Sequence, residues 1–263
     1  MIGAGYVINQ WDPDAGAFIN ATGIGGIEAV AINNLVNQLK TSGLWTTMKA
    51  LYPMVGGTAF THKFNLINPQ DTDAAFRLVF AGGWTHNSSG AKPDGVSGTY
   101  ADTFFIPSAQ FSANNGHMSY YSFTNNAASD DVEMGANDGA ATTGECLIAF
   151  RFSDTNQYTF MNQIGGSGGA PGNSFGYMIG TRADTTTTSG YKNGTNVIGV
   201  SGGGVLTGRK IYLGAQNNGT TSYRNSSRGC AFASMGAGIS STNAPILNLI
   251  VNNFQRTLQR NVF

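Results

Sequence analysis

Titratable side chains are scarce in this sequence of 263 residues. It has 14 acidic and 14 basic residues, so that only 11% of the chain is charged, and it has 3 histidines. Enzymes act through titratable groups whose pKa values are tuned to the reaction. His62, His86 and His117 show no close metal-ligand spacing, and the three glutamates form no acidic pattern along a strand. We therefore expect no catalytic residues, no cofactor and no enzyme activity.

Cysteine is also nearly absent, and the two that occur are Cys146 and Cys230. Two cysteines cannot form a disulfide framework or a zinc site. Each lies in an apolar run, ECLIAF for the first and GCAFA for the second. Because an unpaired cysteine behaves as a small apolar residue, we expect both to be buried free thiols.

The sequence lacks runs of charge and long apolar runs. Its formal net charge is zero and its basic residues are scattered, which argues against nucleic-acid binding through phosphate contacts. The first residues show no charged segment followed by an apolar one, so we expect no secretory leader. No stretch approaches the roughly 18 apolar residues of a membrane span, and we expect no membrane insertion.

Glycine and small polar residues separate many short apolar runs. The chain has 37 glycines, and 41% of its residues are hydrophobic. From about Phe60 onward these runs are rich in aromatic and β-branched residues and end at turn residues, which predicts strands. The predicted strands include residues 61–67 (THKFNLI) and 103–108 (TFFIPS). Asn193-Gly194 favours positive backbone φ angles and predicts a tight hairpin.

Both ends of the chain have the periodicity of helices. Residues 12–52 are predicted to be helical, with Leu35 on an apolar face, and residues 243–263 repeat the pattern around Phe254. We predict an N-terminal helical region at residues 1–57, a β-sandwich at residues 58–242 and a C-terminal helix, all packed as one unit. Residues 1–11 are a candidate for an anchoring strand that adds to a neighbour's sheet.

The densest acidic patch is SDDVEMGAND, which contains Asp130, Asp131 and Glu133. Such a patch is typical of a solvated hairpin end. Carboxylates are also hard oxygen ligands of the kind that calcium prefers, so these three residues are the candidates for a calcium site.

Tyrosines in loops and edge strands are candidates for sugar contact. Aromatic faces pack on pyranose rings while neighbouring amides and hydroxyls form hydrogen bonds with sugar hydroxyls. Tyr191 and Tyr223 are the candidates for glycan contact. The alternative interpretation of either residue is ordinary packing between neighbouring strands.

Three segments resemble the closing part of laminin-G-like, concanavalin-type jelly rolls: SGYKNGTNV, RKIYLGAQNNG and RGCAFASMGAGISST. The opening block from AFINATGI to SSGAKPDG and the ending FASMGAGISSTNAPILNLIVNNFQRTLQR resemble virion proteins of tailed bacteriophages, especially those of gut and Bacteroidetes phages. The resemblance implies a mainly β, antiparallel two-sheet jelly-roll sandwich with N- and C-terminal helices.

The same resemblance implies a structural component of a phage particle, such as a head or tail fibre or a decoration protein. Such a protein acts through subunit contacts with other virion proteins, and we expect a homo-oligomer with a trimer as one candidate symmetry. It would be assembled in the host bacterial cytoplasm and reside in the virion. The alternative function is a lectin-like adhesin that binds a host surface glycan, and the third is a polysaccharide depolymerase.

Overall fold

The computed structural model describes residues 11–139, 144–163, 169 and 171–263. Apart from Trp11, the predicted anchoring strand at residues 1–11 lies outside these residues. The described helices are α1 (Pro13–Thr22), α2 (Gly26–Thr41), α3 (Ala59–His62), α4 (Pro107–Gln110) and α5 (Asn243–Thr257). The described strands are β1 (Met48–Tyr52), β2 (Val79–Ala81), β3 (Trp84–Asn87), β4 (Gly90–Pro93), β5 (Tyr100–Asp102), β6 (Gly116–Ser122), β7 (Met134–Asn137), β8 (Glu145–Ala149), β9 (Tyr158–Gln163), β10 (Gly176–Arg182), β11 (Thr187–Lys192), β12 (Thr195–Ser201), β13 (Tyr212–Leu213), β14 (Gln216–Asn217), β15 (Ser222–Tyr223) and β16 (Cys230–Gly236).

The strands form two sheets that face each other, so the protein is mainly β and sandwich-like. The first sheet has the order β12-β11-β10-β6-β16-β4-β3, and β1 also pairs with β16. The second has the order β15-β14-β7-β13-β5-β2, with β8 on β7 and β9 on β8. The sheets are not wholly antiparallel as predicted, because β14 runs parallel to β7. One apolar cluster, which includes Met178 and Met235 from the first sheet and Met134 and Ile148 from the second, fills the space between them.

Helices cover the outer face of the first sheet. Leu35 of α2 and Phe254 of α5 belong to a second apolar cluster with Tyr121, Tyr177 and Phe232 of the sheet. Strands β6, β10 and β16 are therefore buried along their whole length. These strands therefore lack a solvent-facing polar side, and the polar residues they do contain, such as His117 and Ser234, are buried and hydrogen-bonded to each other.

Helix α1 begins after a capping residue and ends at a glycine, as the sequence predicts. Asp12 caps α1 by accepting a hydrogen bond from the backbone N–H of Asp14, and Gly23 ends the helix with a left-handed φ of 71°. Helix α5 contains the apolar residues around Phe254 that predict the C-terminal helix. Among the described residues, none of the helices is long and apolar enough to cross a membrane.

Three local predictions are wrong. Residues 48–52, predicted as helix, form β1 because their pairing with β16 outweighs the local helical pattern. Residues 61–67 contain the end of α3 and a turn, in which Asn65 donates to backbone carbonyls of Lys49 and Ala75. Residues 103–108 lead into α4, since Pro107 starts a helical turn and supplies no N–H to a strand.

Two other local predictions are confirmed. Asn193 and Gly194 have φ angles of 49° and 82° and join β11 to β12 as a tight hairpin. Cys146 and Cys230 are free and buried. In both cases the local sequence is sufficient, because the turn depends on two adjacent residues and each thiol lies within an apolar run.

Candidate functional site

In the described part of the chain the long helices pack on the first sheet, and the outer face of the second sheet carries the features that suit ligand binding. Residues paired across neighbouring strands point to the same face, and here one row runs through Asp102, Tyr212, Gly135, Leu147 and Phe160. Gly135 has no side chain at the middle of this row. A Cβ atom there would lie only 2.7 Å from the backbone oxygen of Cys146 and 2.9 Å from the Cβ atom of Leu147, so the neighbouring strand leaves no room for one.

A polar depression of about 280 Å³ lies beside Tyr212 of this row. We call it the tyrosine cleft, and its lining residues are Ser97, Gly98, Tyr100, Tyr212, Asn217, Gly219, Thr220, Thr221 and Ser222. The rings of Tyr100 and Tyr212 stack with their centroids 4.1 Å apart and their planes 15° apart. Each tyrosine precedes an inward-facing apolar residue, Ala101 or Leu213, so strand alternation turns both rings outward.

Hydrogen bonds hold the loops around the tyrosine cleft in place. The Asn217 amide donates to the backbone oxygen of Lys210 at 2.9 Å and accepts from the backbone N–H of Gly219 at 2.9 Å. Ser222 Oγ accepts from the backbone N–H of Gly98 at 2.9 Å. These bonds fix the backbone while the side chains of Ser97, Thr220 and Thr221 stay exposed. The polar rim is therefore positioned before any ligand arrives.

None of the residues that line the tyrosine cleft has an ionised side chain at neutral pH, and the Arg209 guanidinium that lies against Gly219 is 3.6 Å from the Asp138 carboxylate. Burial, together with the neighbouring Tyr100 and Asp102, raises the pKa of Tyr212 to about 12. The phenol therefore keeps its proton at neutral pH and can both donate and accept a hydrogen bond. The Asp102 carboxylate is paired with Lys210 Nζ at 2.9 Å. A pair of stacked aromatic rings rimmed by neutral hydroxyls suits a polyhydroxylated ligand.

The predicted glycan contacts lie in different places. Tyr191 belongs to the apolar cluster beneath the helices and is 4% exposed, so its ring face is not available for stacking, which corrects that prediction. Tyr223 lies on β15 beside the tyrosine cleft and is 48% exposed. Sequence reasoning missed Tyr100 and Tyr212, although the alternation of each with an apolar neighbour was a usable signal.

The calcium candidates do not fit a calcium site. Glu133 is fully buried, and its Oε1 atom lies 2.7 Å from Nη1 of Arg228, which is also fully buried. Asp131 faces the same guanidinium at 3.7 Å, and Asp130 has no such partner among the described residues. Because an arginine cation already neutralises the carboxylate at the centre of this cluster, a calcium ion there would meet a positive charge.

Two of the histidines come together in space. His62 Nδ1 and His86 Nδ1 are 2.9 Å apart, while His117 lies elsewhere and contacts Ser234. Burial, followed by the effect of His86, lowers the pKa of His62 to about 3. Across the described residues, no third ligand completes a metal-binding group with this pair. The pair therefore consists of neutral imidazoles that share a hydrogen bond.

No protein-family model matches this chain, and no curated protein is similar to it. The chain is similar in structure to the binding domain of Paraclostridial Mosquitocidal Protein 1, with 10% identity and a TM-score of 0.53 over 80% of this chain and 53% of that one. It is also similar to domain 4 of the GH43 arabinanase AbnA from Geobacillus stearothermophilus, in complex with arabinotriose, with 12% identity and a TM-score of 0.47 over 77% and 98% of the two chains.

A third similar structure is the Trypanosoma rangeli sialidase, with 14% identity and a TM-score of 0.46 over 66% of this chain and 29% of that one. The chain thus spans less than a third of the sialidase and about half of the mosquitocidal binding domain. Among these three, the mosquitocidal binding domain alone exceeds a TM-score of 0.5, and at its low identity the likeness shows a shared fold.

Proposed function

We propose that this protein binds glycans through the tyrosine cleft. The observation that carries the proposal is the stacked pair of Tyr100 and Tyr212 in a depression rimmed by neutral hydroxyls on the uncovered sheet face. Sugars present apolar C–H faces and hydroxyl edges together, and this lining offers a partner for each. The volume of about 280 Å³ suits a short saccharide.

The lining of the tyrosine cleft favours binding without turnover. Glycoside hydrolysis ordinarily requires two carboxyl groups that flank the scissile bond. None of the residues that line the cleft is acidic. The nearby Asp102 is already paired with Lys210. A lectin-like adhesin is therefore our first choice over a depolymerase among the carbohydrate-related functions.

The role in a phage particle stays a prediction, and so do the jelly-roll topology, the homo-oligomer and the virion partners. Glycan binding is compatible with all of them, since a particle protein that contacts a host surface can carry a sugar site. Purified particles provide the direct measurement of this role. Absence of the chain from them would remove the virion role and leave the glycan proposal standing.

The glycan proposal is tested by an array of neutral and acidic oligosaccharides, followed by calorimetric titration with the strongest binder. We expect saturable binding by the wild-type protein and at least about a ten-fold loss in Tyr212→Ala, equal to about 1.4 kcal/mol. Phe60→Ala is the matched control, because Phe60 is an exposed aromatic residue on α3, away from the cleft. Flat responses to all sugars, or unchanged binding by a folded Tyr212→Ala variant, would refute the proposal.

A further inference from the structure

A second depression lies on the same sheet face, next to the tyrosine cleft. It has a volume of about 200 Å³, and we call it the arginine pocket; its lining residues are Leu147, Ala149, Phe152, Tyr158, Phe160 and Arg224. One short segment separates the two depressions, because Ser222 lines the tyrosine cleft and Arg224 lines the arginine pocket. The Cα atoms of these two residues are at most about 7 Å apart along the chain. Neighbouring units of one oligosaccharide can therefore reach both depressions.

The guanidinium group of Arg224 lies close to two aromatic rings. Its central carbon lies 4.9 Å from the ring centroid of Phe152 and 5.1 Å from that of Tyr223. The backbone of Arg224 has a φ of 51°, a left-handed conformation that is uncommon for a long side chain. A guanidinium is planar, and its N–H donors point outward in the plane of the group.

The charge of Arg224 has no carboxylate partner among the described residues, and its Nε donor is buried without a hydrogen-bond acceptor. Because Nε is closed off from solvent, the donors of Arg224 that a ligand can reach are its terminal amino groups. The Asp154 carboxylate accepts from the hydroxyl of Tyr158, which lines the pocket, at 2.5 Å and from the Asn156 amide at 2.9 Å. That carboxylate is thus held by other groups and does not neutralise the arginine.

We propose that the arginine pocket receives the carboxylate of an acidic sugar unit. A planar carboxylate matches the in-plane donors of a guanidinium and can form two parallel hydrogen bonds with its terminal Nη1 and Nη2 groups. The apolar walls formed by Tyr158, Phe152 and Leu147 would then contact the C–H face of the same sugar ring. This inference rests on the proposed glycan binding and assigns its ligand class, a saccharide that carries carboxylate groups.

The experiment compares trigalacturonic acid with its neutral methyl ester by calorimetric titration. We expect the wild-type protein to bind the acid at least ten-fold more tightly. Arg224→Gln should remove this preference, and Arg224→Lys should restore only part of it, because lysine keeps the charge and loses the planar pair of donors. Arg256→Gln is the matched control, since Arg256 is an exposed arginine on α5 far from the pocket in the fold. Circular dichroism and melting temperature establish that each variant is folded.

Three results would overturn the inference: equal affinity for acid and ester, a preference that survives in Arg224→Gln, or tighter binding of a sulfated sugar than of the carboxylated one. Binding of neutral oligosaccharides with no preference for the acid would leave the proposed glycan function intact. Conversely, free galacturonate could shift the Arg224 Nε resonance while no oligosaccharide binds. This result would support carboxylate binding in the arginine pocket and refute glycan binding through the tyrosine cleft. If neither the oligosaccharides nor galacturonate bind, both the proposed glycan function and the carboxylate site are refuted.

Discussion

The buried ion pair of Glu133 and Arg228 leads to a prediction about the free energy of unfolding. Both side chains are fully buried and their charged atoms are 2.7 Å apart. Glu133 also accepts hydrogen bonds from the backbone N–H of Phe150 and the hydroxyl of Ser226. Burial raises the pKa of Glu133, and the guanidinium opposes this rise. We infer that the carboxyl is ionised at neutral pH, because a charged partner at this distance favours the carboxylate.

Glu133→Gln is the perturbation that isolates the charge. The two side chains have nearly the same shape, so no cavity forms, but Arg228 loses its close counter-charge and keeps only the Asp131 carboxylate at 3.7 Å. Removing one partner of a buried pair costs about 3–5 kcal/mol. We expect the lower limit, about 3 kcal/mol, because the amide oxygen still accepts one hydrogen bond. For a chain of this size, that corresponds to a fall in melting temperature of about 6–12 °C.

Urea unfolding of the variant and the wild-type protein measures this loss. The matched control is Glu145→Gln, since Glu145 is 9% exposed and its carboxylate accepts from the amides of Asn137 and Gln216 without an arginine partner. We expect a clearly smaller loss in this control. Equal losses in the two variants, or a loss below about 0.5 kcal/mol in Glu133→Gln, the range of ordinary surface changes, would show that the ion pair has no special weight. A large rise in melting temperature on adding calcium would restore the metal interpretation.

Two further predictions concern the helices and the histidine pair. Leu35→Ala and Phe254→Ala should each lower the free energy of unfolding by about 2–5 kcal/mol because both side chains are buried. The control Leu249→Ala, at a 58% exposed position on α5, should change it by less than about 0.5 kcal/mol. Similar losses in all three variants on urea unfolding would contradict this placement of the helices. Burial lowers the pKa of His62 to about 3 and lowers that of His86, so the unfolded chain binds more protons below the ordinary value of 6.5. The free energy of unfolding should therefore be highest above pH 6.5 and decrease as the pH falls towards 3. Between pH 7.5 and pH 4.5 it should decrease less in His62→Gln than in the wild-type protein. An equal decrease in the two proteins would contradict the role of the histidine pair.

The glycine-rich, weakly charged composition was a useful guide to fold class but not to the position of a site. It predicted a mainly β protein with helical ends, and the helices, the Asn193-Gly194 hairpin and the buried thiols were predicted from local pattern. The same approach placed the calcium candidates on Glu133, which is paired with Arg228, and a glycan contact on Tyr191, which lies beneath the helices. A local pattern does not reveal which charge or helix will cover a side chain.

Alternation along each strand depends on residues two positions apart, and helical periodicity on residues three or four apart, so the sequence alone determined most strands and the long helices. Residues 48–52 are an exception, because their pairing with β16 overrides the local pattern. Which face of which sheet stays uncovered depends on contacts between residues that are distant in the chain. Tyr100 and Tyr212 stack only because β5 and β13 are neighbours, and Arg224 enters its pocket because the backbone turns left-handed after β15. The tertiary structure alone decided these placements, because they arise from long-range packing of the sheets and not from the preferences of neighbouring residues.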